Sequence, residues 1–190
     1  MPDPEAFSDD ALLLRFARGD GQAAALLTQR LAPRCVAFAT RMLNGDRAEA
    51  EDVTQEAMLR LWRHEPGWDA HGSARPGTWL LKVAGNLCID RLRRARTLNI
   101  DAIAAPADPA PGALAKLEAS ERIVALDAAL ATLPDRQRQA VVLRHIEGWS
   151  NPDIATVMEI SVEAAESLLG RGKRALTQAL APRREELSDG

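Results

Sequence analysis

The sequence predicts an all-α protein built from two small helical domains joined by a flexible linker. Three observations carry that prediction. Hydrophobic residues make up 46% of the 190, dominated by Ala and Leu, while aromatics are only 4% and Tyr is absent, which is a helical composition. Apolar residues recur at helical spacing on both sides of residues 97–112. That stretch contains IAAPADPAPG, a composition that cannot form a core.

The elements follow in order. Ser8, before Asp9 and Asp10, caps a first helix that ends near Gly19. A second helix runs from about Gln22 to Leu43 and is kinked at Pro33. Asn44-Gly45 stops it. Asp46 and Glu49 form a capping-box-like start for a third helix reaching about His64. A Gly- and Pro-rich loop, EPGWDAHGSARPG, precedes a fourth helix from about Thr78 to Arg96. The linker is acidic, with four acids against one lysine between Asp101 and Glu121. A fifth helix runs from near Ala113 to Thr132. A sixth starts at Pro134, since proline suits a first helical position, and runs to Glu147, with Gly148 as its stop. Ser150 caps a seventh helix. Ser161 caps an eighth that begins at Val162 and reaches about Leu180.

Charge and cysteine usage narrow the function. The formal net charge is −3, so any nucleic-acid site is a local patch. No apolar run reaches the roughly 18 residues of a membrane span. The N-terminal MPDPEAFSDD lacks an apolar signal core, which argues against secretion. Cys35 and Cys88 are far apart and sit among apolar neighbours, which fits packing in a reducing, cytoplasmic setting. His64, His71 and His145 are isolated, and no pair has metal-ligand spacing. No nucleophile elbow or phosphate-binding loop is present, so the sequence predicts no enzyme, no metal and no cofactor.

Three helical surfaces remain. On the third helix Ala50, Val53, Ala57, Met58 and Leu61 share one side, and Asp52, Gln55, Glu56, Arg60 and Arg63 the other. Leu59 interrupts that polar side, with Trp62 at its border. It reads either as an ordinary exposed leucine or as an anchor for a partner helix. On the fourth helix Leu80, Leu81, Ala84, Cys88 and Leu92 are apolar. Trp79, Lys82, Asn86, Asp90 and Arg93 lie opposite, with Arg91 and Arg94 at the flanks. This face is either a solvated basic surface or a nucleic-acid surface: arginines hold phosphates, asparagine reads a base edge, and tryptophan stacks an unpaired base.

The third surface is the most specific. The segment EGWSNPDIATVMEISVEAAESLLGRGKRAL reads as a short helix, a tight turn and a second helix, the pattern of a helix-turn-helix unit. On the eighth helix Val162, Ala165, Leu169, Leu176 and Leu180 face one way. Ser167, Arg171, Arg174 and Gln178 face the other, and five basic residues with no acid lie between Leu168 and Arg184.

Three segments in order resemble the extracytoplasmic-function (ECF) class of bacterial RNA polymerase sigma factors. AEAEDVTQEAMLRLWRH, residues 48–64, is similar to the family's polymerase-binding helix. WDAHGSARPGTWLLKVAGNLCIDRLRRAR, residues 68–96, is similar to its promoter-melting loop and helix, with TWL, N-x-x-I-D and R-x-R-R in place. ALATLPDRQRQAVVLRHIEGWSNPDIATVMEISVEAAESLLGRGKRAL, residues 129–176, resembles its C-terminal helix-turn-helix.

The resemblance implies a sigma-2-like four-helix domain over 1–96, a linker over 97–119 and a sigma-4-like domain over 120–190. It implies partners: core RNA polymerase, through the β′ clamp helices and β flap, promoter DNA, and an anti-sigma factor, without membrane insertion. Asp52, Gln55, Glu56, Leu59 and Trp62 would meet the β′ clamp helices. Gly72, Ser73, Arg75, Trp79, Asn86, Asp90, Arg91 and Arg94 would receive and hold the opened −10 element. Arg144, Ser161, Ser167, Arg171, Lys173 and Arg174 would contact the −35 element. Glu166 and Leu168 depart from the Lys or Arg that many members carry, and Gly170 leaves out a side chain that often reaches DNA. The rival readings are a stand-alone helix-turn-helix regulator and a sigma-like antagonist without DNA function.

Overall fold

The computed structural model describes residues 7–64, 68, 75–98 and 115–188, the side chains of 64, 98, 115–122 and 182–188 excepted. Eight helices and no strand are found among the described residues. They divide between two compact units, one holding residues up to 40 with 47–90, the other 41–46 with 91–190.

In the first unit, α1 spans Asp9–Ala17, and the Ser8 hydroxyl accepts from Ala11 N–H at 3.2 Å, the expected cap. Gly19, at φ +87°, turns the chain. Asp20 Oδ1 then accepts from the N–H groups of Gln22 (3.0 Å) and Ala23 (3.2 Å), opening α2 over Gly21–Met42. Those backbone donors, Ala23 foremost, with the Arg15 guanidinium at 2.7 Å, hold the Asp20 carboxyl below the usual aspartate range. Pro33 lies inside α2, on an exposed position, and does not end it. Asn44 and Gly45, in the 41–46 turn that belongs to the second unit, adopt positive φ and form the stop read from the sequence.

Helix α3 spans Arg47–His64 and buries Ala50, Val53, Ala57, Met58 and Leu61, the apolar stripe its periodicity defines. Helix α4 spans Pro76–Leu98, two residues longer at each end than expected, because Pro76 itself opens the helix. A Cβ at Gly77 would lie 3.3 Å from Leu31 Cδ2, so the first turn of α4 rests on α2. Leu80, Leu81, Ala84, Leu87 and Cys88 are buried, as is Cys35, and both cysteines are free.

In the second unit, α5 (Ala115–Ala131), α6 (Asp135–His145), α7 (Asn151–Met158) and α8 (Val162–Ser188) surround Leu130, Leu133, Ala140, Val141, Val142, Leu143, Ile154, Val157 and Ala165. Pro134 precedes α6 instead of opening it, since its ψ of 140° is extended, although its carbonyl already accepts from Arg138 N–H. Gly148, at φ +74°, ends the turn after α6. Helix α8 continues beyond Leu180 to Ser188, through Pro182.

The α5–α6 corner is held by a buried arginine. Arg138, 3% exposed, donates to the carbonyls of Leu130 (2.9 Å), Ala131 (2.8 Å) and Leu133 (3.2 Å) at the end of α5, where Leu130 O also accepts from Leu133 N–H. In the 41–46 turn of the same unit it also donates to Met42 O (2.6 Å) and Asn44 Oδ1 (2.7 Å). Truncation to Ala strands several buried acceptors at once, each costing about 1–3 kcal/mol. Arg138→Ala is therefore expected to lose roughly 3 kcal/mol or more by urea unfolding, whereas Arg144→Ala, at an exposed position, is expected to stay within about 1 kcal/mol.

Candidate nucleic-acid and polymerase interfaces

The outward face of α3 is continuous. Asp52, Gln55 and Leu59 are exposed and Glu56 is half-buried, paired with Arg60 at 2.6 Å one turn on. Leu59 is 49% exposed, although the helix has a well-filled apolar side two residues away. Trp62 sits at the margin, half-buried, with its ring 4.7 Å from that of Phe16 on α1. No local sequence pattern marks Phe16 as this brace. Its place at the end of α1, on the same side as buried Leu12 and Leu13, is the signal the sequence offers.

On α4, Trp79, Asn86, Asp90 and Arg93 fall along one line of the helix, and Arg94 lies beside it. From Trp79 to Arg94 the helix rises about 22 Å. Asn86, Arg93 and Arg94 are exposed; Trp79, Asp90 and Arg91 are half-buried. Arg75 is exposed just before the helix, where its carbonyl accepts from Trp79 N–H at 2.9 Å. Gly72 and Ser73 lie outside the described residues. Arg96, the fourth arginine of this run, is hydrogen-bonded to Asp135. Upstream, Trp68 Nε1 donates to Asp10 Oδ1 at 3.1 Å, tying that residue to α1.

The helix-turn-helix is α7, a three-residue turn and α8. Ser150 caps α7, accepting from Asp153 N–H at 3.3 Å. Glu159 ends α7 in the left-handed region, at φ 55°. Ser161 then caps α8, accepting from Ala164 N–H at 3.2 Å. Glu163, in the first turn, is held below the ordinary glutamate range by its own backbone N–H and by the Ser161 hydroxyl. Arg136 secures the far end of α7 by donating to Met158 O at 2.9 Å.

Helix α8 is pressed closely onto α6. A Cβ at Gly172 would lie 2.5 Å from Val141 Cγ2, so only glycine fits there without movement. With Ala165 and Gly172 facing inward, Ser167, Arg171, Lys173 and Arg174 are exposed together. Arg171 Nε donates to Ser167 O at 3.3 Å, and an Arg174 nitrogen lies 3.8 Å from where a Gly170 Cβ would stand. A side chain's Cβ at 170 would therefore meet Arg174 at ordinary contact distance. Arg144 is exposed at the end of α6 and donates to Trp149 O at 2.8 Å, steadying the loop into α7. Val162, Leu169, Leu176 and Leu180, assigned to the apolar side of α8, are only partly covered. Among the described residues no cluster of His, Cys, Asp or Glu could hold a metal, and no helix is long and apolar enough to cross a membrane.

The two halves of this layout match family descriptions. Residues 27–97 match the model of sigma-70 region 2, and residues 123–176 that of sigma-70 region 4. The RNA polymerase sigma-H factor of Pseudomonas aeruginosa is 34% identical over 185 residues, covering 92% of this chain and 94% of that protein.

The chain belongs to the ECF family of RNA polymerase sigma factors.

ECF sigma factor SigL of Mycobacterium tuberculosis is 37% identical over 144 residues, or 73% of this chain and 78% of that one. Among solved structures, CnrH in complex with the cytosolic domain of CnrY aligns with a TM-score of 0.65 and 25% identity, over 92% of this chain and 97% of that one. The region 2 match runs through α2, α3 and α4, and the region 4 match through α5, α6, α7 and α8.

Proposed function

We propose that this chain binds core RNA polymerase and directs it to promoters, with 1–96 as the region 2 domain, 97–119 as the linker and 120–190 as the region 4 domain. The observation that carries the reading is the exposed Leu59, framed by Asp52, Gln55 and Glu56 on a helix whose apolar side is already buried. An unpartnered apolar side chain within a polar face, in a member of this family, is an anchor for the β′ clamp helices. Trp62, braced by Phe16, borders the same contact.

Promoter DNA meets two surfaces. The loop residues Gly72, Ser73 and Arg75 receive a flipped −10 base, an exchange that costs a few kcal/mol and so favours a prepared site. Trp79, Asn86, Asp90, Arg91 and Arg94 hold the opened strand and the adjacent duplex. Arg144, Ser161, Ser167, Arg171, Lys173 and Arg174 contact the −35 element, with the α8 N-terminus directed at the major groove. The acidic linker runs toward the RNA exit path, where like charge favours its displacement by a growing transcript. The polymerase, including its β flap contact with region 4, supplies the bond-forming chemistry. The chain works in the cytoplasm, and an anti-sigma factor that covers the polymerase- and DNA-binding faces controls it. The solved structure of CnrH with the cytosolic domain of CnrY supports control by a protein partner.

Two variants test the assignment. Leu59→Asp puts a charge at the centre of the contact and should weaken core binding at least thirtyfold, an effect of about 2 kcal/mol, with the helical circular dichroism unchanged. Normal binding by the folded variant would remove α3 from the interface. Trp79→Ala removes a stacking surface of about 1–3 kcal/mol per base. It should reduce permanganate reactivity of −10 thymines while core affinity stays at the parent value; unchanged footprints would make Trp79 a packing residue.

A further inference from the structure

Glu166 is exposed on α8, five residues into the helix whose N-terminal part the proposed function directs at the major groove. An acid there is opposed by every phosphate, and the cationic contacts assigned to α8 give it no role. The structure shows how it is held. Asn151, the first residue of α7, donates from Nδ2 to Glu166 Oε1 at 3.2 Å. A carboxylate can only accept, so this contact fixes which way the Asn151 amide faces. The Asn151 Oδ1 atom on the other side is buried, without a hydrogen-bond partner among the described residues. The amide is thus oriented toward the carboxylate at the expense of its own oxygen. Among the described residues no cation pairs with Glu166: Lys173 and Arg171 are exposed on the same helix, and Arg171 turns back to Ser167 O.

This geometry leaves Oε2 as an acceptor, positioned by α7, at the protein surface that the recognition helix presents. In the major groove, cytosine offers the N4 amino group as a donor. Guanine offers the acceptors O6 and N7, thymine the acceptor O4, and adenine an N6 donor beside the N7 acceptor. A fixed carboxylate is therefore complementary to cytosine and repelled by guanine and thymine. We infer that Glu166, oriented by Asn151, is a specificity-determining residue that selects a cytosine at one position of the −35 element. This rests on the reading of α8 as the −35 recognition helix. It converts the position where the chain departs from its relatives' basic residue from a weak phosphate contact into a base contact.

The test uses holoenzyme made from the full chain and core RNA polymerase, with a pool of promoters that share one −10 element and carry a randomised −35 element. Bound and transcribed templates are sequenced for the parent, Glu166→Gln, Glu166→Ala and Asn151→Ala, each with its thermal midpoint measured. The parent is expected to favour cytosine over guanine about tenfold at one −35 position. Glu166→Gln, which adds a donor beside the acceptor, should move that position toward adenine. Glu166→Ala should flatten it, and Asn151→Ala should weaken it, while the other positions keep their preferences. If Glu166→Ala keeps the full parental profile, the inference is overturned, and a lowered thermal midpoint would then assign the Asn151 contact to fastening α7 on α8. A parent holoenzyme that opens promoters with no preference at any −35 position would overturn the reading of α8 itself. That outcome is distinguishable because no variant is needed to see it.

Discussion

The placement of the recognition helix depends on one buried cation. Arg138 lies inside the second unit, where a guanidinium is tolerated only if its donors are satisfied. It meets that condition by taking the carbonyls that end α5, so the corner between α5 and α6 is fixed by the same bonds that make the burial possible. Helix α6 can then present Val141 to Gly172 at a separation no side chain at 172 would allow. The far end of α7 is fastened to α6 by Arg136. Every exposed cation of α8 owes its direction to this stack. The helix cannot rotate about its axis without driving a side chain into α6.

The functional surfaces have a common design. In each helix the buried side is filled mostly by small and branched apolar residues, and polar and charged groups line the outward side. Leu59 is the clearest case, because α3 has no need of a further apolar contact. The basic residues divide differently. Arg138, Arg136 and Arg96 are engaged by carbonyls or by Asp135, whereas Arg94, Lys173 and Arg174 stand at the surface, and Arg144 is exposed while also donating to Trp149 O. A count of arginines would overstate the nucleic-acid surface, and the structure separates the two groups.

Much of this was legible in the sequence. The caps Ser8, Ser150 and Ser161, the stops at Asn44-Gly45 and Gly148, and the buried stripe of α3 follow from local rules of hydrogen bonding and periodicity. So did the division into an α3–α4 part and a helix-turn-helix part. What escaped were pairings between distant residues, which no local pattern encodes. Phe16 beneath Trp62, Trp68 on Asp10, Asn151 on Glu166 and the carbonyls around Arg138 all join elements separated by loops. No local pattern marks Arg138 for burial, since its acceptors lie eight residues upstream and in the 41–46 turn. The apolar side of α8 was misjudged in emphasis. Gly172 is pressed against Val141 of α6 and Ala165 is buried, while the leucines are only partly covered.

Promoter choice by the polymerase is the function proposed for this chain. A titration of the purified protein against core RNA polymerase, followed by transcription of genomic fragments with the start sites sequenced, tests it most directly. Saturable binding with discrete start sites that share upstream elements is the predicted result. A folded protein that leaves the core enzyme unbound, or binds it and yields no discrete starts, would contradict the account.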